Sequence, residues 1–332
     1  MLVVDRGSRD EAFRRLGVKQ DVPLTRGSLM ELAAGADATI VISGEFTVTA
    51  GTPEQIHLTA SVIHVRQMRR LGDCTESGAL DDLWRLQARI VWEVLKTLSP
   101  HLAGDEETFL AARPSIRLDA MESYVRALRA DSAELRHKLL SQATRLQPDY
   151  SQANFELGKY QYSRKEYAAA IEALKRVNPR DAHHREALFF LGLSYFDSND
   201  FPAAEDALAR VAAEVPLPEV FNNLGAAQLQ EGKAEAIDSF KQAVEGDPAD
   251  PDYQFNTGYA LWRAGRFDEA ADYFRAALER SPNDHEATLL LGRCLKKAGP
   301  RPGELGTEGL VLLKSRFNES AWLQLKAFTQ KR

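Results

Sequence analysis

Residues 185–216 read REALFFLGLSYFDSNDFPAAEDALARVAAEVP, one copy of a unit that the chain repeats. At its centre stands Leu191-Gly192, and the pair returns as Leu157-Gly158, Leu224-Gly225, Thr257-Gly258 and Leu291-Gly292. The glycines are 34, 33, 33 and 34 residues apart. A fixed period in that range predicts stacked helical hairpins, an α-α solenoid in which each unit touches only its neighbours.

A second signal lies within each period. Downstream of each of the first four glycines comes alanine, then a large apolar residue four positions on, then Ala or Val three further. The triplets are Ala170/Leu174/Val177, Ala204/Leu208/Val211, Ala236/Phe240/Ala243 and Ala270/Phe274/Ala277. Those spacings put the three side chains on one helical face. Pro179, Pro216, Pro248 and Pro282 close the units, where a missing backbone donor suits the start of the next helix. Ser198-Asn199-Asp200, Glu231-Gly232-Lys233 and Ala264-Gly265-Arg266 supply the turns between helices. A glycine at the crossing lets two backbones approach, and the large residue opposite fills the gap.

This pattern resembles the tetratricopeptide repeat, in which Leu-Gly and an aromatic precede Ala, Phe, Ala and Pro. The unit at 185–216 carries Leu188, Leu191, Gly192, Tyr195, Ala204, Leu208, Val211 and Pro216. The unit at 251–282 carries Gly258, Leu261, Gly265, Ala270, Phe274, Ala277 and Pro282. The unit at 218–248 is short by a residue in its turn, and the one at 151–179 has a shortened exit. Tyr124, Leu140, Ala143 and Pro148 fit a degenerate first unit; Leu291, Gly292 and Leu295 begin a sixth, broken at Gly299-Pro300-Arg301-Pro302. The segment Glu308 to Lys326 reads as a terminal helix covering the last apolar face.

The resemblance implies a groove lined by the inward positions of each first helix. They include Phe155, Lys159 and Tyr162; Phe189 and Leu193; Asn222; Phe255, Tyr259 and Trp262; and Arg293, with Glu219 and Asp252 among the rest. Aromatics and arginine dominate interface energetics, which favours a protein or peptide partner. The competing reading packs several of them, Phe196 and Trp262 especially, inside the superhelix. Asn223 and Asn256 stand one residue before the Leu-Gly and Thr-Gly pairs of adjacent units. Their amides can hold a peptide backbone through paired donor and acceptor bonds. Glu156, Phe190 and Leu290 at the equivalent positions keep this ladder to two rungs.

Residues 1–115 lack the period. Asp37 to Phe46 is β-branched and apolar and reads as a largely buried strand. Gln55 to Val65 alternates, with Ile56, Leu58, Ala60, Val62 and His64 on one face, as a half-buried antiparallel strand does. A third strand is expected near Met68–Thr75, and helices at Arg9–Leu16, Gly27–Ala34 and Leu80–Leu98. In the last helix Leu83, Leu86, Ile90 and Val94 form one stripe. The run Glu31-Leu32-Ala33-Ala34-Gly35-Ala36-Asp37, the strand after it, and Gly78-Ala79-Leu80-Asp81-Asp82-Leu83 are similar to the TolB amino-terminal-like (FlgO-like) α/β module, which implies no active site. That family opens with a strand and helix before the equivalent of Leu2-Val3-Val4-Asp5, where this chain starts. The expectation is a start further upstream. As written the sheet exposes a strand edge, which invites a homodimer; light scattering that shows a strict monomer at high concentration contradicts it.

The fold class is therefore an α+β amino-terminal domain followed by an all-α tetratricopeptide superhelix. The expected division is 1–104 for the α/β domain, 105–116 for a linker, 117–300 for the repeats, and 301–332 for a capping helix and tail.

Formal charge is -6, and residues 1–115 hold 13 Lys or Arg against 16 Asp or Glu, a net of -3. Neither half offers the basic surface that phosphate backbones need, which argues against nucleic acid. Two cysteines, Cys74 and Cys294, form neither a disulfide framework nor a multi-cysteine metal site. No stretch approaches the roughly 20 apolar residues that span a bilayer, and the early charges Asp5 and Arg6 argue against a signal peptide. Localisation is cytoplasmic as written, and periplasmic if an export signal lies upstream. There is no phosphate-binding glycine loop, nucleophile elbow or zinc-binding helix motif. His183-His184 point about 100° apart on a helix and cannot easily share a metal. Asp105-Glu106-Glu107 reads as linker, and Ser43 and Ser77 lack a recognisable base. The expectation is a non-enzymatic interaction scaffold without cofactor or metal, its repeats gripping an extended peptide or a helix of a partner and its α/β module docking or sensing. The alternatives are a small-ligand sensor in the α/β domain relayed by the repeats, or a structural homo-oligomer.

Overall fold

The computed structural model describes Val4 and residues 6–17, 24–301, 311–319 and 322–323. They divide into two compact units, Met1–Gln147 and Pro148–Arg332.

The first unit opens with α1 (Arg6–Arg15) and α2 (Arg26–Gly35), then β1 (Ile40–Thr49), β2 (Gln55–His64) and β3 (Arg69–Ala79). The strands form an antiparallel sheet in the order β1-β2-β3. A single 3-10 turn at Leu80–Asp82 leads into α3 (Leu83–Leu98), followed by α4 (Pro100–Ala103), α5 (Glu106–Ala111), and the hairpin α6 (Leu118–Leu128) and α7 (Ala133–Leu146). The alternation in β2 buries Ile56, Ala60 and Val62. Ala60 and Val62 join Cys74 of β3 and Val94 of α3 in one core, with Ile90 packed against it. Asp105 accepts from the Thr108 amide at 2.9 Å, so the acidic run at 105–107 caps and opens α5.

The expected burial of the first strand is corrected. In β1, Ile42, Phe46 and Val48 are 51%, 67% and 47% exposed. Ile42 and Val48 face the same way as the buried side chains opposite them in β2, since Ile42 pairs with Val62 and Val48 with Ile56, and Phe46 lies opposite the half-buried Leu58. A helix about 10 Å wide covers roughly two strands spaced about 4.8 Å apart. Helix α3 packs on β2 and β3, which leaves most of β1 beyond its width. Among the described residues, the outer edge of β1 has no strand neighbour.

The second unit is a run of hairpins: α8 (Ser151–Ser163) with α9 (Tyr167–Leu174), α10 (His184–Asp197) with α11 (Phe201–Glu214), α12 (Pro218–Gln230) with α13 (Ala236–Gly246), and α14 (Pro251–Arg263) with α15 (Phe267–Arg280). Helix α16 (His285–Leu295) begins the sixth unit. All four sequence triplets are buried. A β-carbon added at Gly192 would stand 2.6 Å from Leu208 Cγ, and one at Gly158 2.5 Å from Leu174 Cγ. These glycines are therefore the contact points where each first helix crosses its second. Asn199, Gly232 and Gly265 hold φ of 62°, 73° and 75° in the interhelical turns, the left-handed region that Gly and Asn enter most cheaply. Pro218 and Pro251 open their helices at the first helical position.

The expected helix over Glu308 to Lys326 is also corrected. Residues 311–318 are not helical, and helical backbone is found at Glu319 and 322–323. The backbone groups at Leu312 and Lys314 are instead taken by side-chain amides of α12 and α14. The remainder of 308–326 lies outside the described residues.

Candidate peptide site

The stretch 311–319 lies along the first-helix face of the array. Asn256 of α14 donates to the Leu312 carbonyl at 2.8 Å and accepts from the Leu312 amide at 2.9 Å. Asn223 of α12 repeats the pairing two residues on, with the Lys314 carbonyl at 2.7 Å and amide at 2.9 Å. A carboxamide presents one acceptor and two donors, so it completes both hydrogen bonds of one peptide residue much as a neighbouring strand would. Asn222 ties the rungs together. It accepts from Asn256 at 2.7 Å and donates to Asn223 at 3.1 Å and to the Leu312 carbonyl at 2.8 Å. All three asparagines are 0% exposed. A buried amide left unpaired is costly, so these side chains are fixed by what they hold.

Side chains complete the contact. Val311 and Leu313 pack on the cluster that contains Phe255, Tyr259 and Trp262. Leu313, Phe317 and Trp322 pack on the cluster that contains Phe155, Phe189 and Leu193. The rings of Phe317 and Phe189 lie 5.1 Å apart, within the range of favourable aromatic pairs. The Asn318 amide donates to Glu219 at 2.8 Å. Lys314 Nζ lies 2.9 and 2.7 Å from the two Asp250 oxygens and 2.6 Å from Asp252, above the Tyr253 ring at 4.9 Å. Arg185 closes the far end with an ion pair to Glu319. Burial pulls the Lys314 ammonium down, but Asp250 and Asp252 outweigh it and hold it above the usual lysine value.

The sequence-derived residues separate into three groups. Phe189, Asn222, Asn223 and Asn256 touch the 311–319 segment directly. Phe155, Leu193, Phe255, Tyr259 and Trp262 form the buried floor beneath it. Trp262 also donates its indole N–H to the Ala298 carbonyl at 2.8 Å. Lys159, Tyr162 and Arg293 are engaged elsewhere among the described residues. Lys159 pairs with Glu186 at 2.6 Å, and Arg293 sits over Trp262 and bonds the Gly299 carbonyl. Burial first, then the charge and hydrogen bond of Asp197, pushes the Tyr162 phenol well above its usual value. Asp250, Tyr253 and Arg185 also meet the segment, and the repeat pattern does not mark them. The only available signal for them was the closely spaced acid pair Asp250 and Asp252 at a helix start, which reads equally well as a cap.

Two further groups bear on chemistry. Ser77 has a partner after all: His57 Nδ1 lies 2.6 Å from its hydroxyl. The antiparallel register sets His57 opposite Ser77 on an exposed face, so a strand pairing accounts for their meeting. Both cysteines are buried, and burial pushes the Cys294 thiol up to about 11. Among the described residues, no three His, Cys, Asp or Glu side chains are grouped to hold a metal ion, and no helix is long and apolar enough to cross a membrane.

Sequence profiles of the tetratricopeptide repeat match residues 119–184, 226–285 and 256–299, and a second profile of the same repeat matches 161–227. Residues 119–299 are a tetratricopeptide-repeat array. Among solved structures, a crystal structure of MamA is 26% identical over 45% of this chain and 89% of that chain, with a TM-score of 0.43. YrrB, described as a TPR protein with an unusual peptide-binding site, is 20% identical over 47% of this chain and 82% of its own, with a TM-score of 0.42. A MamA RS-1 double mutant is 21% identical over 51% and 99%, with a TM-score of 0.46. The tetratricopeptide array of this chain accounts for its helical hairpins and for the glycine at each crossing.

Proposed function

We propose that this protein is a non-enzymatic interaction scaffold whose tetratricopeptide groove grips an extended peptide by its backbone. The observation that carries the reading is the pair of buried asparagines, Asn223 and Asn256, each bonded to both the amide and the carbonyl of one residue in an extended segment. Side-chain amides one repeat apart form a surface on which a β-like segment of a partner docks. In this structure the chain's own residues 311–319 take that place. The amino-terminal α/β unit acts as a docking or sensing module.

The test uses the full chain with Leu312→Pro and Lys314→Pro, which deletes the two amides that the ladder accepts without altering the repeats. A fluorescent peptide of residues 311–319 should then bind saturably. Adding Asn223→Ala and Asn256→Ala should weaken binding by about a hundredfold, from four hydrogen bonds at roughly 0.5–1.5 kcal/mol each. Circular dichroism should stay unchanged in both chains. Equal binding with and without the asparagines contradicts the proposal.

A further inference from the structure

The ladder reads backbone, and backbone is common to all peptides, so selectivity must come from side chains. Among the described residues, the densest ion pairing that the 311–319 segment makes is at Lys314. Its side chain is only 21% exposed, as is that of Asp250, although both are charged. Three carboxylate oxygens, two from Asp250 and one from Asp252, lie within 2.9 Å of one nitrogen. An ammonium has three donors, and here each has an acceptor. The Tyr253 ring closes a fourth side at 4.9 Å, where its π face attracts a cation. Asp250 is held in place because it also caps α14, accepting from the Asp252 amide at 2.9 Å. The planar fork of a guanidinium does not match three acceptors converging on a point.

Resting on the groove reading above, we propose that Asp250, Asp252 and Tyr253 form a lysine-reading subsite that sets which extended segment the groove accepts and in which register. The ligand class is an extended peptide with a lysine at this position, an aromatic three residues on to meet Phe189, and an acid two residues beyond that to meet Arg185. The chain's own Lys314, Phe317 and Glu319 have that spacing. The acids stand at one end and Arg185 at the other, so the site also sets chain direction. A partner that takes the groove from residues 311–319 must bring its own lysine, and the tail acts as the resident competitor.

The test is a titration of the Leu312→Pro, Lys314→Pro chain with three labelled peptides of residues 311–319: unaltered, Lys314→Met and Lys314→Arg. The unaltered peptide should bind roughly tenfold tighter or more than the methionine peptide, as expected when one partner of a desolvated charge pair is removed. The arginine peptide should fall between them. Replacing Asp250→Asn and Asp252→Asn in the protein, which keeps a good helix cap, should erase the difference. Binding of all three peptides with equal affinity, still dependent on Asn223 and Asn256, overturns the lysine subsite and leaves the groove reading standing. Failure of every peptide to bind overturns both.

Discussion

Alanine at Gly192 is expected to destabilise the array by about 1–3 kcal/mol, whereas alanine at Gly292 leaves it unchanged or stabilises it by up to about 1 kcal/mol. Both glycines occupy the same position of the repeat and both lie inside helices, so intrinsic propensity favours alanine equally at each. Packing decides the difference. At Gly192 the new methyl would meet Leu208 Cγ at 2.6 Å and its Cδ2 at 3.0 Å. Leu208 is 0% exposed within a dense cluster and has nowhere to go. At Gly292 nothing lies within 4 Å of the added carbon. Gly258, where the Phe274 ring stands 3.1 Å away, should fall between. Melting of the three variants followed by circular dichroism checks the order. Equal shifts at Gly192 and Gly292 would show that the period marks propensity and not helix crossing.

The hairpins were legible in the sequence because each crossing is written locally. A glycine, a large residue about 16 positions on and a proline after it all belong to one hairpin. The alternation of Ile56, Ala60 and Val62 was legible for the same reason. Burial of β1 was not, since its apolar residues are correct for a core face that α3 is too narrow to cover. The tail escaped for a different reason. Leu312, Leu313, Lys314 and Arg316 are all good helix formers, and residues 311–317 hold neither Gly nor Pro. What overrides propensity comes from Asn223 and Asn256, which are 91 and 56 residues away from the backbone they hold. The asparagines were recognisable as backbone-bonding groups from their place beside the Leu-Gly and Thr-Gly pairs. Asp250 was not, because its capping role is sufficient to explain an acid at a helix start.

The second large effect concerns the ladder itself. Removing both amides by Asn223→Ala and Asn256→Ala takes away four hydrogen bonds to the segment and the link between Asn256 and Asn222. The Leu312 and Lys314 amides and the Lys314 carbonyl would then be better satisfied by water. Docking would rest on the apolar side chains, the Asn222 bond to the Leu312 carbonyl, the Glu219 bond to Asn318, and the ion pairs of Lys314 and Glu319. The segment should be released as a unit, since apolar and charged contacts both depend on its register.

Amide hydrogen exchange at Leu312 and Lys314 in the unaltered chain tests the central claim most directly. If buried asparagines hold this segment, both amides should exchange about a hundredfold more slowly than in a free peptide, the ratio given by roughly 3 kcal/mol of docking. That protection should collapse in the Asn223→Ala, Asn256→Ala chain while the amides of α12 and α14 remain protected. Exchange at the free-peptide rate in the unaltered chain would contradict the account, because the groove would then hold no extended backbone.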